Sequence, residues 1–515
     1  MKHKTKNKIK GSALAYALII MAVVLIILTS MLNYIVSQIK FSANRSEKEQ
    51  AFQIAEAGIY FYRWYLAHET AGKTAREVDD FWQNGDPLGV GSAYEKDFSD
   101  PEGGVIGRYQ IEAERPDSGS TIVIVKSTGW TNDEPDMKRT VQVRFRRPSW
   151  SEYAVLANDF MRFGQGTEVF GKIHSNKGIR FDGVVHNIVS SLMTTFDDPD
   201  HGGGNEFGVH THVNAPPSSG VNNNYRPLEA PNNPVQTRSD VFLIGREFPV
   251  PEVSFTGISS DLAFMKTEAQ SGHGRYFDSS GLGRQIILKT NGTFDVYKVM
   301  TVDSDTNGIT GYEGTRNSNG SGDSCIAPTT TEGPNTQCRN RTSGSRCYCK
   351  YSSYEIPNGG IIFVEDNIWL EGTINSRKIS VVAADIVSGA EANIYVGNNN
   401  ILYSNFDGKD ILGIIAEKDV EVIKNSQNNL IIDGAFLAQK GRVGRKDYGS
   451  SDHKNSITLN GSMATNLRYG FAWTNGISNW GYEDRILNFD NNLLYYPPPY
   501  FPTGTDYSID LWEEL

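Results

Sequence analysis

Residues 12–36, SALAYALIIMAVVLIILTSMLNYIV, form a long apolar run near the start of this 515-residue chain. As a helix the run would extend about 37 Å at 1.5 Å per residue, enough to cross the roughly 30 Å hydrocarbon core of a membrane with some tilt. Every second residue from Lys2 to Lys10 is a lysine, and no acidic residue precedes Glu47. These lysines predict a cytoplasmic N-terminus and an extracytoplasmic C-terminal region.

The apolar run differs from an ordinary secretory signal, which has a shorter apolar core followed by a small-residue cleavage site. Here the small residue at the change of polarity, Gly11, precedes the run. Beyond the run, apolar residues recur at three- and four-residue intervals: Phe52, Ala55, Ile59, Tyr62 and Leu66. This period predicts one helix over residues 12–70, with an apolar face in its second half.

A basic leader that ends in Gly11, followed by an apolar helix that opens with Ser12, resembles a type IV prepilin. Residues 50–57, QAFQIAEA, are similar to the signature of PilX-type minor pilins. The resemblance implies that a prepilin peptidase cuts between Gly11 and Ser12, and that the mature helix packs with other pilin subunits. Most major pilins have a glutamate as the fifth mature residue, which is Tyr16 here, so the resemblance indicates a minor pilin or pseudopilin.

Residues 71–150 are predicted to form a small antiparallel β domain. Strand patterns lie near residues 107–115, 120–130 and 138–147, with turn signals between them. A long helix packed on such a sheet is the roll typical of pilins. The fold class predicted for the N-terminal part is therefore α+β, behind a leader at residues 1–11.

Residues 151–515 are predicted to form a mostly β, extracellular head. Three similar segments begin at Gly413, Gly434 and Gly461, with spacings of 434 − 413 = 21 and 461 − 434 = 27 residues. Such spacings favour the rungs of a β-solenoid, and a β-sandwich is the alternative. The proline-rich tail at residues 492–502 lacks amide donors for central strand pairing, so we expect it to cap one end of the head.

The four cysteines, Cys325, Cys338, Cys347 and Cys349, all lie in a polar stretch at residues 314–350. In an exported protein they predict two disulfides, with three connectivities open, in a loop that projects from the head. A zinc site is the alternative, but the spacing of these cysteines is not typical of one.

Two further segments have oxygen or nitrogen ligands at metal-site spacing. The first matches the start of a calcium loop, and a structural calcium there is one hypothesis beside an acidic hairpin turn; its residues are Asp303, Asp305, Asn307 and Glu313. The second is a histidine-rich region from His174 to His212, in which His210 and His212 would share one strand face. No paired helical ligand motif accompanies it, so a solvated polar loop is favoured over a metal site.

The net charge is −11, or −11 − 5 = −16 without the five leader lysines, so a nucleic-acid partner is not expected for the isolated chain. No P-loop, dinucleotide or kinase motif is present, and we expect neither enzymatic activity nor a cofactor beyond calcium. The predicted function is a PilX-type minor pilin-like component of a type IV pilus or related filament, at a tip or rare position. It would be anchored in the inner or cytoplasmic membrane and later be part of a surface filament. Its head would serve assembly or adhesion to an unknown surface ligand. The alternatives are an uncleaved, membrane-anchored surface adhesin or scaffold, and a carbohydrate-active β-helix enzyme.

Overall fold

The computed structural model describes residues 12–515 except 118, 203, 214–234, 236, 256–257, 300, 306–307, 314, 317–334, 342–343, 476–477 and 505–506. Within the described residues the chain forms three α-helices and thirty-six β-strands. The helices are α1 Ser12–Thr70, α2 Ala75–Gln83 and α3 Ile258–Gln270, with 3-10 helices at Trp150–Glu152 and Asn491–Leu494.

The strands are mostly short. The first fifteen are β1 Tyr94–Ser99, β2 Val105–Ala113, β3 Ile122–Thr131, β4 Arg139–Arg146, β5 Val155–Ala157, β6 Met161–Phe163, β7 Thr167–Phe170, β8 Ile173–Ser175, β9 Ile179–Phe181, β10 Val184–Val185, β11 Val189–Ser191, β12 Thr195–Phe196, β13 Glu206–Phe207, β14 Val209–His210 and β15 Arg246–Glu247. The next eleven are β16 Arg275–Phe277, β17 Arg284–Leu288, β18 Thr293–Lys298, β19 Thr301–Asp305, β20 Gly308–Glu313, β21 Thr315–Arg316, β22 Asn335–Arg341, β23 Gly344–Glu355, β24 Ile361–Val364, β25 Ile368–Ile374 and β26 Lys378–Ala383. The last ten are β27 Ile394–Val396, β28 Ile401–Tyr403, β29 Ile411–Ala416, β30 Val420–Val422, β31 Asn429–Ala438, β32 Val443–Arg445, β33 His453–Thr465, β34 Ala472–Thr474, β35 Asn479–Phe489 and β36 Ser508–Glu514.

The second half of α1 lies against an antiparallel sheet with the strand order β1-β2-β3-β4-β36. Burial alternates along β2, β3 and β4, because successive side chains of a strand point to opposite faces. The buried face packs against helix residues such as Ile59 and Tyr62. The three predicted strands are therefore present, and two further strands, β1 and β36, complete the sheet.

Parallel strands dominate the head. Ten of them stack in the order β16, β24, β26, β29, β31, β33, β5, β8, β11 and β15. Their core-facing side chains are nearly all apolar and fully buried, as in Ile414, Phe436 and Met463. The coarse prediction, a long helix followed by a mostly β head, is confirmed.

The order of this stack differs from the order of the chain. β33 pairs with β5, which comes much earlier in the chain, and Met463 lies opposite Val155. On an adjoining side β35 pairs with β7, Arg485 opposite Thr167. The segment after β15 then returns along the outside of the stack, where α3 packs on β24. Residues 155–247 therefore continue the stack built by residues 275–489.

Two local expectations need correction. Gly434 lies opposite Gly461, as the 27-residue spacing predicts, but Gly413 lies opposite Ala435, one residue away from the predicted partner. The proline-rich tail does not cap an end of the stack. Instead Leu493 and Phe501 pack on the outer face of several successive strands, because that face is apolar and would otherwise be exposed.

Candidate functional site

The first half of α1 exposes an apolar surface. Large apolar side chains from Leu14 to Phe41 are about half exposed or more, from 46% at Val24 to 69% at Leu14. Soluble monomers rarely expose apolar patches of this extent. The helix is long and apolar enough to cross a membrane. This half of α1 therefore presents an apolar surface that suits lipid or the apolar faces of other helices.

The second half of α1 lies unusually close to the sheet. A Cβ on Gly129 would lie 2.3 Å from the carbonyl oxygen of Ala51 and 2.4 Å from the amide nitrogen of Ala55. A Cβ on Gly58 would lie 2.2 Å from Ser127 Oγ. Small residues on both elements allow this approach, and Glu47 accepts a hydrogen bond from Thr131 Oγ1 at 2.6 Å. The second half of α1 is thus fixed on the sheet, and the exposed first half extends from it as part of the same helix.

A second feature lies in the head, where four ionisable side chains converge. One ligand atom from each lies within 4.8 Å of all the others, and all four side chains are buried: Asp198, Glu206, His210 and His212. All four come from residues 198–212. In and around this stretch, β12 and β13 pair as an antiparallel hairpin, and β14 pairs in parallel with β9. The reversal between β12 and β13 brings Asp198 back to the histidines.

The contacts inside this cluster, which we call the His–carboxylate cluster, are short. His210 Nε2 lies 2.6 Å from Glu206 Oε2 and 3.7 Å from Asp198 Oδ2. His212 Nε2 lies 2.9 Å from Glu206 Oε1. On the other side of its ring, His210 Nδ1 lies 2.9 Å from the carbonyl oxygen of Phe207, to which it can donate.

Charge and burial act in opposite directions on the cluster. Burial lowers the pKa of His210, but Asp198 and Glu206 beside it outweigh burial and raise this pKa to about 9. Burial raises the pKa of Glu206, but the two histidines more than compensate and lower it to about 2. The cluster therefore favours two ionised carboxylates. These carboxylates need a positive charge beside them, from a protonated histidine or a bound cation.

Residues around the cluster hold its members in place. Arg180 Nε lies 2.7 Å from Asp182 Oδ2, and Arg180 Nη1 lies 3.5 Å from Asp198 Oδ2. Asp182 Oδ1 accepts a hydrogen bond from the amide of His212 at 2.8 Å. The His201 ring lies edge-on to the His212 ring, with 4.5 Å between centroids. Sequence reasoning favoured a solvated loop here, whereas the structure buries His210 and His212.

The sequence comparison concerns the first of these features. Residues 10–59 match the model of the PilX N-terminal family, a span of 50 of the 515 residues. This segment is a PilX-type, type IV pilin-like N-terminus. The match covers both the exposed half of the pilin-like helix and the QAFQIAEA segment, whose Ala51 and Ala55 approach Gly129.

Comparison with solved structures found the competence-associated pilin ComZ from Thermus thermophilus. The two chains are 13% identical, with 91% of this chain and 97% of that chain covered, and the TM-score is 0.28. A TM-score this low does not establish a shared fold. No curated protein sequence matches the chain.

The predicted processing site lies at the start of the pilin-like helix. Ser12 is the first residue of α1, and Gly11 lies outside the described residues.

Of the four cysteines predicted to form disulfides, Cys325 lies outside the described residues. The backbone of β22 pairs with that of β23 so that Cys338 lies opposite Cys347 and Thr336 opposite Cys349. Cleavage and the two disulfides stay predictions.

Three of the four predicted calcium ligands lie on a hairpin formed by the backbones of β19 and β20. Asp303 and Asp305 belong to β19, which pairs antiparallel with β20, the strand that ends at Glu313. Asn307 lies outside the described residues. This pairing is the arrangement expected for an acidic hairpin turn, and the calcium hypothesis stays a prediction.

Proposed function

We propose that the chain is a minor pilin-like component of a type IV pilus or related filament. The observation that carries this proposal is the pilin-like helix, whose first half is apolar and exposed while its second half is held on a small sheet. Such a helix is stable in lipid before assembly and in a bundle of similar helices afterwards. Its partners would be other pilin subunits.

The proposal includes processing between Gly11 and Ser12 by a prepilin peptidase. Cleavage would remove the five leader lysines and leave an apolar N-terminus that can leave the membrane. Before cleavage the chain would span the inner or cytoplasmic membrane once, with its C-terminal region outside the cytoplasm.

We also infer the organisation of the remainder. Residues 71–150 with the returning strand β36 would form the pilin domain, and most of residues 151–515 would form a β-solenoid head that carries the loop at residues 314–350. The parallel pairing of ten stacked strands supports a solenoid rather than a sandwich, whose sheets are typically antiparallel. A head of this size would hinder close packing if every subunit carried one. A tip or rare position therefore suits the chain, with the head serving assembly or adhesion rather than catalysis.

The test is to express the full chain with and without a prepilin peptidase and to read its N-terminus by mass spectrometry. We expect a mature start at Ser12 only with the peptidase, and loss of this product in the Gly11→Ala variant. Tyr16→Phe, a nearby change that leaves the cleavage residues intact, is the matched control. An intact N-terminus under both conditions would contradict processing and favour an uncleaved, membrane-anchored adhesin or scaffold.

A further inference from the structure

We infer that the His–carboxylate cluster of the head binds one divalent transition-metal ion, with Zn²⁺ as the first ion to test. Its ligands would be Asp198, Glu206, His210 and His212. This inference concerns the head alone and does not depend on the pilin-like function of α1.

The ligand set has the chemistry of such a site. Imidazole nitrogens and carboxylate oxygens are the usual protein ligands of Zn²⁺ besides thiolates, and imidazole also suits copper, iron and nickel. Four ligands at 2.0–2.1 Å in a tetrahedron are about 3.4 Å apart. The distances from His210 Nε2 to the two carboxylates, 2.6 Å and 3.7 Å, lie on either side of this value.

The orientation of His210 favours a metal. When its Nδ1 donates to the carbonyl of Phe207, a neutral ring has its lone pair on Nε2, which faces the carboxylates. This nitrogen is buried, 2.6 Å from Glu206 Oε2 and 3.7 Å from Asp198 Oδ2, so a metal ion there would contact the imidazole and both carboxylates. A backbone carbonyl on one ring nitrogen and a cation on the other is the common arrangement of metal-binding histidines.

Charge balance is also compatible with a bound cation. Arg180 contacts both Asp182 and Asp198. Among the described residues, the cationic groups in ion-pair contact with Glu206 are all histidines: His201, His210 and His212. The charge of Glu206 can therefore be compensated either by a protonated histidine or by a bound cation. A divalent cation would compensate it with both metal-binding histidines neutral.

Four buried protein ligands indicate a structural rather than a catalytic ion, since catalytic zinc sites keep an open coordination position. The ion would tie the hairpin of β12 and β13 to β14, which pairs with β9 near the end of the stack. Because a metal site rarely exists in the unfolded chain, binding would stabilise the folded head.

The competing state is a metal-free ion pair in which His210 is an imidazolium. The two states differ in metal content, so the test measures it directly. The full chain, carrying no polyhistidine tag, is purified in detergent, stripped with a chelator and titrated with Zn²⁺ against a chromophoric chelator. We expect one ion per chain and a higher unfolding temperature with zinc. Absence of competitive binding would overturn the inference and establish the ion pair.

The cysteines at residues 325–349 are the other candidate ligands, and variants separate the two sites. The His210→Gln/His212→Gln double variant should lose the bound ion, whereas the control His186→Gln, at a histidine elsewhere in the head that pairs with Glu168, should retain it. Serine at all four cysteines should also leave one ion bound. Retention of the ion by the double variant would refute the assignment.

If the double variant does not fold, X-ray absorption of the zinc-loaded wild-type chain provides an independent readout. We expect nitrogen and oxygen neighbours only, including the scattering pattern of imidazole. Sulfur neighbours would place the ion at the cysteines and overturn the proposed site.

Discussion

Gly58 and Gly129 bring the pilin-like helix and the sheet together at the scale of single residues. A methyl group at Gly129 would overlap the backbone of α1 at Ala51 and Ala55. Ala51 and Ala55 of the QAFQIAEA segment therefore have a packing role in this protein. The sequence alone showed the segment and its resemblance, but not which strand residue it contacts.

We predict that Gly129→Ala destabilises the small domain by about 1–3 kcal/mol, the usual cost of overpacking. The obstacle is backbone, 2.3 Å from the added Cβ, so a side-chain rotation cannot relieve it. The measurement is the thermal unfolding of the full chain in detergent. Gly104→Ala is the control, because the atoms nearest to its Cβ belong to the Asp100 carboxylate at 3.5 Å. Equal unfolding temperatures for both variants would contradict the prediction.

The His–carboxylate cluster shows what residue spacing can and cannot predict. The spacing of His210 and His212 suggested a shared face, and both rings do face Glu206. Burial could not be predicted, because the acidic and glycine-rich sequence around Asp198 is typical of solvated loops. Recognising the hairpin of β12 and β13 could have corrected the prediction of a solvated loop. Each of these strands has only two residues, too few to show a strand pattern in the sequence.

At the scale of secondary-structure elements, burial determined which strands were predictable. β2, β3 and β4 alternate between apolar and polar residues because one face packs against α1. β1 and β36 lie at the two edges of the sheet and are mostly exposed, so their sequences show no clear alternation. Edge strands rich in charge are common, since charge discourages pairing with other chains.

The strand β36 connects the C-terminus to the sheet near the N-terminus, and Arg144 pairs with Asp510 at 2.8 Å. We predict that deletion of residues 508–515 increases amide hydrogen exchange in β4, because the backbone groups of β4 that face β36 lose their partners. The measurement is exchange followed by mass spectrometry. Glu513→Gln on the same strand should leave exchange in β4 unchanged. Unchanged exchange after the deletion would show that β36 does not protect the sheet.

At the scale of the whole molecule, the stack joins distant parts of the chain. Residues 155–247 contact β33 and β35, which lie about 300 residues later, so closing the stack joins the ends of a very long loop. The entropic cost of such a closure grows only slowly with loop length, and burial of the shared core offsets it. The returning segment, α3 and the proline-rich tail all cover the outer face of the stack. An ion pair between Arg76 and Glu268 joins α2 to α3, and so joins the small domain to the head.

We predict that Met463→Asp destabilises both β33 and the strands of residues 155–175, of which β5 pairs with β33, because it places an unpaired charge in the core between β33 and β5. Hydrogen exchange should increase in residues 155–175 as well as in β33. Asn455→Asp, at an exposed position of the same strand, is the control. An increase confined to β33 would show that the N-terminal strands are stable without it.

The sequence by itself determined the parts of the protein that depend on local pattern. A long apolar segment can be stable only in lipid or among other helices, and alternation along a strand reports one buried face, so α1, the three central strands and a β-rich head were predictable. The tertiary structure alone decided which strands are neighbours, the register of Gly413 with Ala435, the course of the tail, and the convergence of Asp198 with His210. These depend on contacts between residues far apart in the chain, whose energies come from burial and packing that no local window contains.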